Sequence, residues 1–366
     1  MIKETKYGII SDVHSDPRMV PVAIDVLKSQ GAERLLINGD IGNQQRNLQE
    51  SQNYVAFILD SIAQSGLESF VQPGSHETLL SFGPVLNHFA EKHSNIIDAT
   101  KNRKIEQEGH DLVFLSGSDF LCGGEYQIGC GEIKTGDYYL TVYGELLPLS
   151  TPREELQRLS DMGKLKGMLQ YNNLGDLKRL VTSPEKTIVV CHVPRKFDNL
   201  ETAVDVAEFG FVEDNFDVFH VEYKDGKQGV LFGYSNESNE EFQKRLKQNG
   251  VLKILKHDPI PNGAVFPIAT AKSLGDLGEV PISLRKENRG NEDLKGIYEE
   301  LGITKAVSGH FHESGHRAND RNGNHVQEGK NVRELFWNSG YLDVGQTGIL
   351  TVSGDEISYQ NIQLKN

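Results

Sequence analysis

Short apolar runs alternate with amphipathic segments in the first third of the chain. Residues 7–11 and 35–38 are short, mainly apolar runs of the length expected of buried parallel strands. Between them, Asp16 followed by Pro17 has the form of a helix N-cap with proline at the first helical position, which predicts a helix ending near Gly31. The same criteria predict helices at 48–64 and 79–92 and strands at 69–72 and 112–116. This βαβαβ order predicts an α/β fold with a parallel sheet and helices on its faces.

The middle of the chain is less regular, and strands return at its end. Residues 117–136 are rich in glycine and weak in periodicity, which indicates a loop or an irregular hairpin. A helical region is predicted to start at Thr151-Pro152. Further strands are predicted at 138–143, 187–191, 306–308, 333–338, 347–352 and 356–363.

The composition changes between Arg195 and Gly302. Residues 198–241 contain twelve Asp and Glu but only two Lys and Arg, together with aromatic residues and a hairpin signal at 224–227. A helix is predicted at 239–256, and 257–293 is expected to be irregular. We therefore predict one domain formed by residues 1–194 and 303–366, with an acidic insertion or accessory subdomain at 195–302.

The overall charge and composition narrow the possible partners and location. A net charge of −14 argues against a surface for nucleic acid or anionic lipid, although it does not exclude an anionic substrate, because bound cations can reverse the local field. No apolar run approaches the roughly 18 residues of a membrane span, and no secretory pattern opens the sequence. A cytoplasmic location is the expectation. Cys122, Cys130 and Cys191 are expected to be free thiols, with a Cys122–Cys130 pair as the alternative.

Five short polar motifs follow predicted strands. Ligands of open α/β sheets gather beyond the carboxyl ends of the strands, so these motifs are expected to converge although they are far apart in sequence. Taken singly, each motif is weak, because Gly-Asp or a lone histidine is common in turns. Their shared position and order indicate one site. The motifs are Asp12-Val13-His14, Gly39-Asp40-Ile41-Gly42-Asn43, Gly74-Ser75-His76-Glu77, His192, and Gly309-His310-Phe311-His312.

The residue types in these motifs suit divalent metal ions. A carboxylate can bridge two cations, and neutral imidazole binds Zn, Fe or Mn. Two metals roughly 4 Å apart can activate water and bind a phosphoryl group. In Asp12-x-His14 and His310-x-His312, alternate side chains point the same way if the backbone is extended, so each pair can offer two ligands to one small volume.

The motif series resembles the calcineurin-like metallophosphoesterase superfamily, whose pattern is DxH, GDxxD/N, GNHE/D, a lone H, and GHxH. The resemblance lies in these motifs, from Asp12 to His312, rather than in continuous similarity. It implies a two-sheet sandwich flanked by helices and a site for two divalent ions, Mn, Fe, Zn or Ni.

The resemblance also implies a role for each motif residue. Asp12, His14, Asp40 and His312 would hold the first metal; Asp40 would bridge to the second, which His192 and His310 would also hold. Ser75 stands where the family has the asparagine that binds the second metal, and a hydroxyl is a poorer ligand than an amide. His76 would be the catalytic histidine. Asn43 stands where a carboxylate or asparagine orients that histidine.

The implied activity is hydrolysis of a phosphate ester by attack of a metal-bound hydroxide on phosphorus, with a small phosphodiester or nucleotide as substrate. One alternative is a nuclease, although no basic channel is evident. Another is a non-catalytic, metal-stabilised binding module in which Ser75 marks a degenerate second site. Substrate choice is expected to depend on residues 117–136 and on the 195–302 segment, which could also contact a protein partner.

Overall fold

The structure is a computed structural model that describes residues 4–119, 122–234 and 237–365. The helices are α1 Met19–Ser29, α2 Leu48–Ser65, α3 Gly83–Lys92, α4 Arg153–Asp161, α5 Leu177–Leu180, α6 Asn239–Gln248, α7 Ile268–Leu277 and α8 Glu292–Leu301. The strands are β1 Glu4–Ile10, β2 Arg34–Asn38, β3 Glu68–Gln72, β4 Ile96–Asp98, β5 Lys104–Gln107, β6 His110–Leu115, β7 Tyr126–Gly129, β8 Gly136–Thr141, β9 Leu146–Pro148, β10 Leu165–Asn173, β11 Thr187–Cys191, β12 Val206–Val212, β13 Phe216–Tyr223, β14 Gln228–Tyr234, β15 Val251–Ile260, β16 Val265–Pro267, β17 Ile282–Asn288, β18 Lys305–Ser308, β19 Ala318–Asn319, β20 Leu335–Asn338, β21 Gln346–Ser353 and β22 Glu356–Gln363.

The larger of two compact units comprises Met1–Val206 and Asn288–Asn366, and it is built on two six-stranded sheets. The first has the order β22-β21-β1-β2-β3-β4, and the second the order β19-β20-β18-β11-β6-β5. Strands β1 to β4 are parallel, as are β6, β11, β18 and β20. Each sheet therefore gathers the carboxyl ends of its parallel strands at one edge.

Alternation along the strands produces a layered core. In β1, Tyr7 and Ile9 belong to a buried cluster that also contains Phe114 of β6 and Val190 of β11, so this cluster lies between the two sheets. The intervening Ile10 belongs instead to a cluster with helices α1 and α2. Because side chains of a strand alternate between the faces of its sheet, each six-stranded sheet is apolar on both sides.

Helices cover the outer faces of both sheets. The apolar faces of α1, α2 and α3 pack on the first sheet, and those of α5 and α8 pack on the second. Helix α2 begins at an N-cap, Asn47, whose side chain accepts from Glu50 N, and it ends at Gly66 with φ of 71°. The predicted α/β fold, a two-sheet sandwich flanked by helices, is confirmed.

A third, four-stranded sheet in the larger unit has the order β7-β10-β8-β9. It includes the second half of the glycine-rich segment 117–136, which was predicted as a loop or irregular hairpin and contains strand β7. Residues 120 and 121 of that segment lie outside the described residues. Helix α4 follows β9, in agreement with the helical region predicted from Thr151.

The smaller compact unit is Ala207–Glu287. It contains two three-stranded sheets, β16-β12-β17 and β14-β13-β15, and its apolar cluster includes Val212, Phe216, Val218 and Phe232. The hairpin predicted at 224–227 joins β13 to β14 and is confirmed. The accessory segment predicted at 195–302 stays a prediction; its two ends, 195–206 and 288–302, belong to the larger unit.

Some element predictions were wrong. The helix predicted at 239–256 ends at Gln248, and after Gly250, with φ of 68°, the chain continues as β15, which pairs with β13. The segment 257–293, predicted to be irregular, contains β16, α7 and β17. Helix α1 begins at Met19 instead of beside Asp16, whose carboxylate pairs with Arg18 at 2.7 Å. In each case a tertiary contact or local pairing outweighed the local sequence signal.

All three cysteines are free, as predicted. No helix in the described part of the chain is long and apolar enough to cross a membrane.

Candidate metal centre

The five motifs occupy loops at the carboxyl ends of parallel strands. Asp12, Asp40 and Ser75 follow β1, β2 and β3 of the first sheet, whereas His192 and His310 follow β11 and β18 of the second. Backbone hydrogen bonds join neighbouring loops, from Asp12 N to Gly39 O at 3.2 Å and from Gly309 N to His192 O at 2.9 Å. The two sheets therefore bring all five motifs together, as the strand-end positions predicted.

Asp12, His14 and His312 form one group whose ligand atoms lie within 4.8 Å of one another. The Nε2 atom of His312 is 3.2 Å from Asp12 Oδ1 and also 3.2 Å from His14 Nε2. Asp12 is 1% exposed, whereas both histidines are partly exposed. These residues are those assigned to the first metal, apart from Asp40, whose Oδ2 atom is 4.0 Å from His14 Nε2.

Asp40, His192 and His310 form a second group, whose ligand atoms also lie within 4.8 Å of one another. His192 is fully buried, and its Nε2 atom lies 3.0 Å from Asp40 Oδ2. Its Nδ1 atom is 2.8 Å from the carbonyl oxygen of Asn38. A hydrogen bond from Nδ1–H to that carbonyl leaves Nε2 as the metal-facing atom. These are the three residues assigned to the second metal.

His14, Asp40 and His76 form a third group, which places the catalytic candidate between the other two. The His76 ring is 4.4 Å from the His14 ring, and its backbone N–H donates to Asp40 Oδ1 at 2.9 Å. His76 is exposed, unlike the buried Asp40. Asp40 is thus shared by two groups, which is compatible with the predicted bridging role.

Ser75 and Asn43 both lie in the site, where each forms a hydrogen bond to another motif residue. The Ser75 hydroxyl donates to Asp40 Oδ2 at 2.8 Å, so it shares the oxygen that faces His192. The Asn43 amide donates to the backbone carbonyl of His14. A direct role of Ser75 as a ligand, and of Asn43 in orienting His76, both stay predictions.

The backbone at three ligand candidates is strained. Asp12, Asp40 and His310 have φ values of 57°, 52° and 69°, in the left-handed region that side-chain-bearing residues rarely adopt. Such a conformation costs on the order of 1–3 kcal/mol per residue and persists at functional sites when the surrounding structure fixes it. The strain is concentrated where the loops turn to bring these side chains into the site.

Two glycines make room for the carboxylates. A Cβ at Gly74 would lie 2.4 Å from Asp40 Oδ1, and one at Gly309 would lie 2.5 Å from Asp12 Oδ2. Neither clash could be relieved cheaply, because both carboxylates are buried and held by hydrogen bonds. The glycines of the GSHE and GHFH motifs therefore have a steric role at the centre.

The electrostatics of the centre favour a cation. Burial opposes ionisation of Asp12 and Asp40, but the facing histidines hold the pKa of both carboxyls below the usual range. Burial likewise opposes the charged form of His192, yet Asp40 and Asp12 raise its pKa to about 10. Burial, with His192 nearby, lowers the pKa of His310 to about 4. Without a metal ion, a proton on His192 compensates the carboxylates.

The donor set fits divalent ions. His192 Nε2 is buried, and its approach to Asp40 Oδ2 at 3.0 Å does not form a well-directed hydrogen bond. Buried polar atoms in native proteins are nearly always satisfied, so an unpartnered imidazole nitrogen beside two carboxylates suits a metal ligand. Two Asp and several His ligands match the preferences of Zn, Fe, Mn or Ni. The groups are thus compatible with divalent metal binding.

Glu77 supports the site in a way that sequence analysis missed. Its buried carboxylate accepts from Ile41 N at 2.7 Å and Gly42 N at 3.0 Å with one oxygen, and from Gly74 N at 2.8 Å with the other. It therefore joins the loop of Asp40 to that of His76. Burial and the Asp40 charge raise its pKa to about 7. Its place in the GSHE motif was a signal that could have revealed it.

Tyr341 and Asp343 were also missed. One Asp343 oxygen accepts from the backbone N–H of His14 at 3.0 Å and of Ser15 at 2.7 Å, so it fixes the Asp12-x-His14 loop. The Tyr341 ring stacks on that of His312, with centroids 3.9 Å apart and planes 6° from parallel. Both residues follow β20, a predicted strand parallel to β18, and that position was the available signal.

Polar residues close to the motifs in sequence bond to the surrounding chain. His316 lies with its Nε2 atom 3.0 Å from Thr347 O. Arg317 donates to the carbonyl oxygens of Leu200 and Ala203. The Gly323-Asn324-His325 sequence imitates a GNH motif, but its Asn324 N–H donates to Asp320, within a surface turn. It belongs to none of the three groups.

No protein-family profile matches the sequence, and neither does any curated protein. Solved structures are similar along nearly the whole chain. One is a Thermus thermophilus protein with 10% identity, which covers 98% of this chain and 99% of its own with a TM-score of 0.42. Another is a dimetal phosphatase from Danio rerio with 9% identity, which covers 99% of each chain with a TM-score of 0.43.

The chain's own features define its fold type. Two six-stranded sheets pack face to face between helices, and the DxH, GDxxN, GSHE, lone His and GHFH loops meet at their carboxyl edge. This arrangement agrees with the two-sheet sandwich that the motif resemblance implied.

Proposed function

We propose that this chain is a metal-dependent phosphoesterase whose substrate is a small phosphodiester or nucleotide. The observation that supports this most strongly is the convergence of two His/Asp groups on one sheet edge, with the exposed His76 between them. Left-handed backbone at Asp12, Asp40 and His310 adds support, because strain of this kind clusters at functional sites.

The two groups would each hold one ion, and Asp40 would be shared between them. Asp12, His14 and His312 would hold one, and Asp40, His192 and His310 the other. When bound, divalent ions supply positive charge for a phosphoryl group and activate water as a nucleophile at neutral pH. The chain contributes fixed ligands, because Glu77 and Asp343 restrain the loops that carry them.

His76 has the features of a residue that acts on the leaving group. It is exposed, so a substrate can contact its imidazole, and its backbone N–H is fixed by Asp40. A positioned histidine can protonate the leaving oxygen or stabilise charge there, which typically contributes about 10²–10⁴-fold to the rate. We assign this role to His76.

The charge of the protein favours a small substrate over a polymer. A net charge of −14 repels DNA and RNA, whose binding depends on basic contacts to phosphates. A small phosphate ester needs a positive field only at the metal ions themselves. A nuclease activity is therefore disfavoured.

One observation favours a second candidate, a metal-stabilised binding module. The Ser75 hydroxyl donates to Asp40 Oδ2, an oxygen that the second metal would need. A weak second site would leave a protein that holds one ion without turnover. The same experiment separates this candidate from the enzyme.

The test is a metal-supplemented activity screen. The chelated protein is reloaded with Mn²⁺, Fe²⁺, Zn²⁺ or Ni²⁺ and assayed with bis-p-nitrophenyl phosphate, p-nitrophenyl phosphate and nucleotides. We expect diester hydrolysis that needs metal and falls at least about 100-fold in His76→Ala, which retains its metal content. Bound metal without turnover on any substrate would favour the binding module, and absence of metal would contradict both candidates.

A further inference from the structure

A cavity of about 590 Å³ opens beside the metal centre. Asn43, Ser75 and His76 of the motifs line it, together with residues of β8 and β10. A volume of this size is typical of sites for small organic molecules, which range from about 300 to 1,000 Å³. Because His76 lines the cavity, a group leaving the phosphorus on the His76 side would enter it.

Part of the cavity wall is apolar. Leu140 of β8 and Leu169 and Met168 of β10 line it. Met168 is 40% exposed, so its side chain is accessible to a ligand in the cavity. Gly167 also lines the cavity, and a Cβ there would meet no atom within 4 Å. This wall suits the apolar faces of an organic group.

Gln127 presents an unsatisfied acceptor. The side chain is only 3% exposed, and its Nε2 atom donates to Gly123 O at 2.8 Å and Gly124 O at 2.5 Å. Those two bonds fix which end of the amide is oxygen, and that Oε1 atom is buried without a partner. A buried acceptor without a hydrogen bond destabilises the folded protein by about 1–3 kcal/mol. A hydroxyl or amino donor on a ligand would satisfy it.

Lys166 adds a positive charge to the cavity. It is exposed at the start of β10, and among the described residues it forms no ion pair with a carboxylate. In a protein of net charge −14, a lysine beside the site offers a contact for a second anionic group on the substrate. Glu125, on the same lining, already accepts from Leu79 N at 2.7 Å.

We propose that this cavity binds the leaving portion of the substrate and that this portion is a nucleotide. The inference rests on the phosphoesterase function proposed above. A nucleotide offers hydroxyl or amino donors for Gln127, base faces for the leucines and a phosphate for Lys166. Hydrolysis breaks the bond between phosphorus and the leaving oxygen, and water supplies the new oxygen on phosphorus. A proton delivered from the side of His76 converts the leaving oxygen into the hydroxyl group of the released nucleotide.

The test measures binding of adenosine 5′-monophosphate to the chelated, full-length protein by calorimetry, so that metal-bound phosphate does not contribute. We expect binding that Lys166→Met weakens about twofold to fivefold, the effect of one exposed charge contact. Adenosine, which lacks the phosphate, should bind equally to both proteins. The matched control is Lys164→Met, because Lys164 belongs to the same region but lies over the Tyr143 ring, outside the cavity lining.

Two results would overturn the inference: no binding of the nucleotide, or binding that Lys166→Met leaves unchanged. Neither depends on turnover. The proposed function fails separately, if the metal-loaded wild type does not hydrolyse bis-p-nitrophenyl phosphate. Binding that depends on Lys166 in a protein without hydrolysis would keep the cavity as a nucleotide site and reject the enzyme.

Discussion

The Nε2 atom of buried His192 lies 3.0 Å from Oδ2 of Asp40. The two residues come from different sheets, since Asp40 follows β2 and His192 follows β11. Their contact is therefore a property of the sandwich itself, because neither sheet alone could form it. It also sets the charge state of the centre, where a histidine proton and a bound divalent ion would compete for the same carboxylate.

That competition predicts proton release on metal binding. Asp40 and Asp12 raise the pKa of His192 to about 10, so the metal-free protein carries this proton at pH 7, whereas a ligating imidazole must be neutral. Metal affinity should consequently rise with pH through the neutral range. Calorimetric titration with Mn²⁺ at pH 7 in buffers of different ionisation enthalpy should report release of about one proton or more. Binding without proton release, equally tight at pH 6 and pH 8, would contradict histidine ligation.

Ser75 predicts two unequal metal sites. Its hydroxyl donates to Asp40 Oδ2 and is a weak ligand, so the second ion should bind less tightly than the first. Ser75→Asn should restore an amide oxygen, tighten the second site several-fold and reduce the metal needed for activity. Ser75→Ala is the matched control, and it should not weaken the second site if the hydroxyl is no ligand. Two equally tight sites in the wild type would refute this prediction.

A pH effect on stability is expected far from the metal centre. His110 is 3% exposed, with Nε2 2.7 Å from the Tyr7 hydroxyl. Burial, reinforced by the Arg34 charge, lowers its pKa to about 4, below the ordinary 6.5. The unfolded chain therefore binds more protons between these values, so stability rises with pH from 4 to 6.5 and is lost as pH falls.

As the pH falls below about 4, protonation of His110 should lower the free energy of unfolding by about 3 kcal/mol in total, because each pKa unit corresponds to about 1.4 kcal/mol. Urea unfolding of the chelated protein between pH 4.5 and 7.5 measures it. His110→Gln, which cannot titrate, should flatten the pH dependence, and the same change at exposed His88 should not. Parallel curves for wild type and His110→Gln would show that His110 does not contribute in this way.

The smaller unit should be dispensable for folding of the larger one. Within the larger unit, Arg289 N donates to Asp205 O at 2.9 Å and Asn288 Nδ2 to Asp205 Oδ1 at 2.7 Å, so the two ends of the excised segment are adjacent. Replacing Ala207–Glu287 by a short Gly/Ser linker should leave a folded protein that binds metal. Its substrate preference should change if the segment borders the site. Insoluble or metal-free products from several linker lengths would show that the segment is needed for folding.

The sequence predicted the candidate metal ligands better than the residues that hold their loops in place. The positions of Asp12, Asp40 and His310 could be predicted because each follows a buried parallel strand. The carboxyl ends of the parallel strands in one sheet lie at the same edge, so residues that follow them lie close together. The extended backbone considered for the Asp12-x-His14 and His310-x-His312 motifs was wrong at Asp12 and His310, which are left-handed, since nothing in the spacing of a motif specifies φ.

Glu77 and Asp343 escaped prediction for a different reason. Their carboxylates accept from the backbone N–H groups of Ile41, Gly42 and Gly74, and of His14 and Ser15. Every residue except proline has a backbone N–H, so the sequence around Ile41, Gly42, Gly74, His14 and Ser15 does not indicate which of these groups donates to a carboxylate. The predicted helix at 239–256 was wrong for a related reason, because β15 forms through pairing with β13, a contact between distant segments.

The most direct test of the central claim is the rate of bis-p-nitrophenyl phosphate hydrolysis as Mn²⁺ is returned to the chelated protein, with wild type and Asp40→Asn measured side by side. Asp40 belongs to the group of the second ion and lies 4.0 Å from His14 in the group of the first, so its loss should affect both ions. The account predicts no activity after chelation, recovery with Mn²⁺ in the wild type, and a rate at least about 100-fold lower in Asp40→Asn at the same metal concentration. Activity that survives chelation, or an Asp40→Asn protein as fast as wild type, would contradict it.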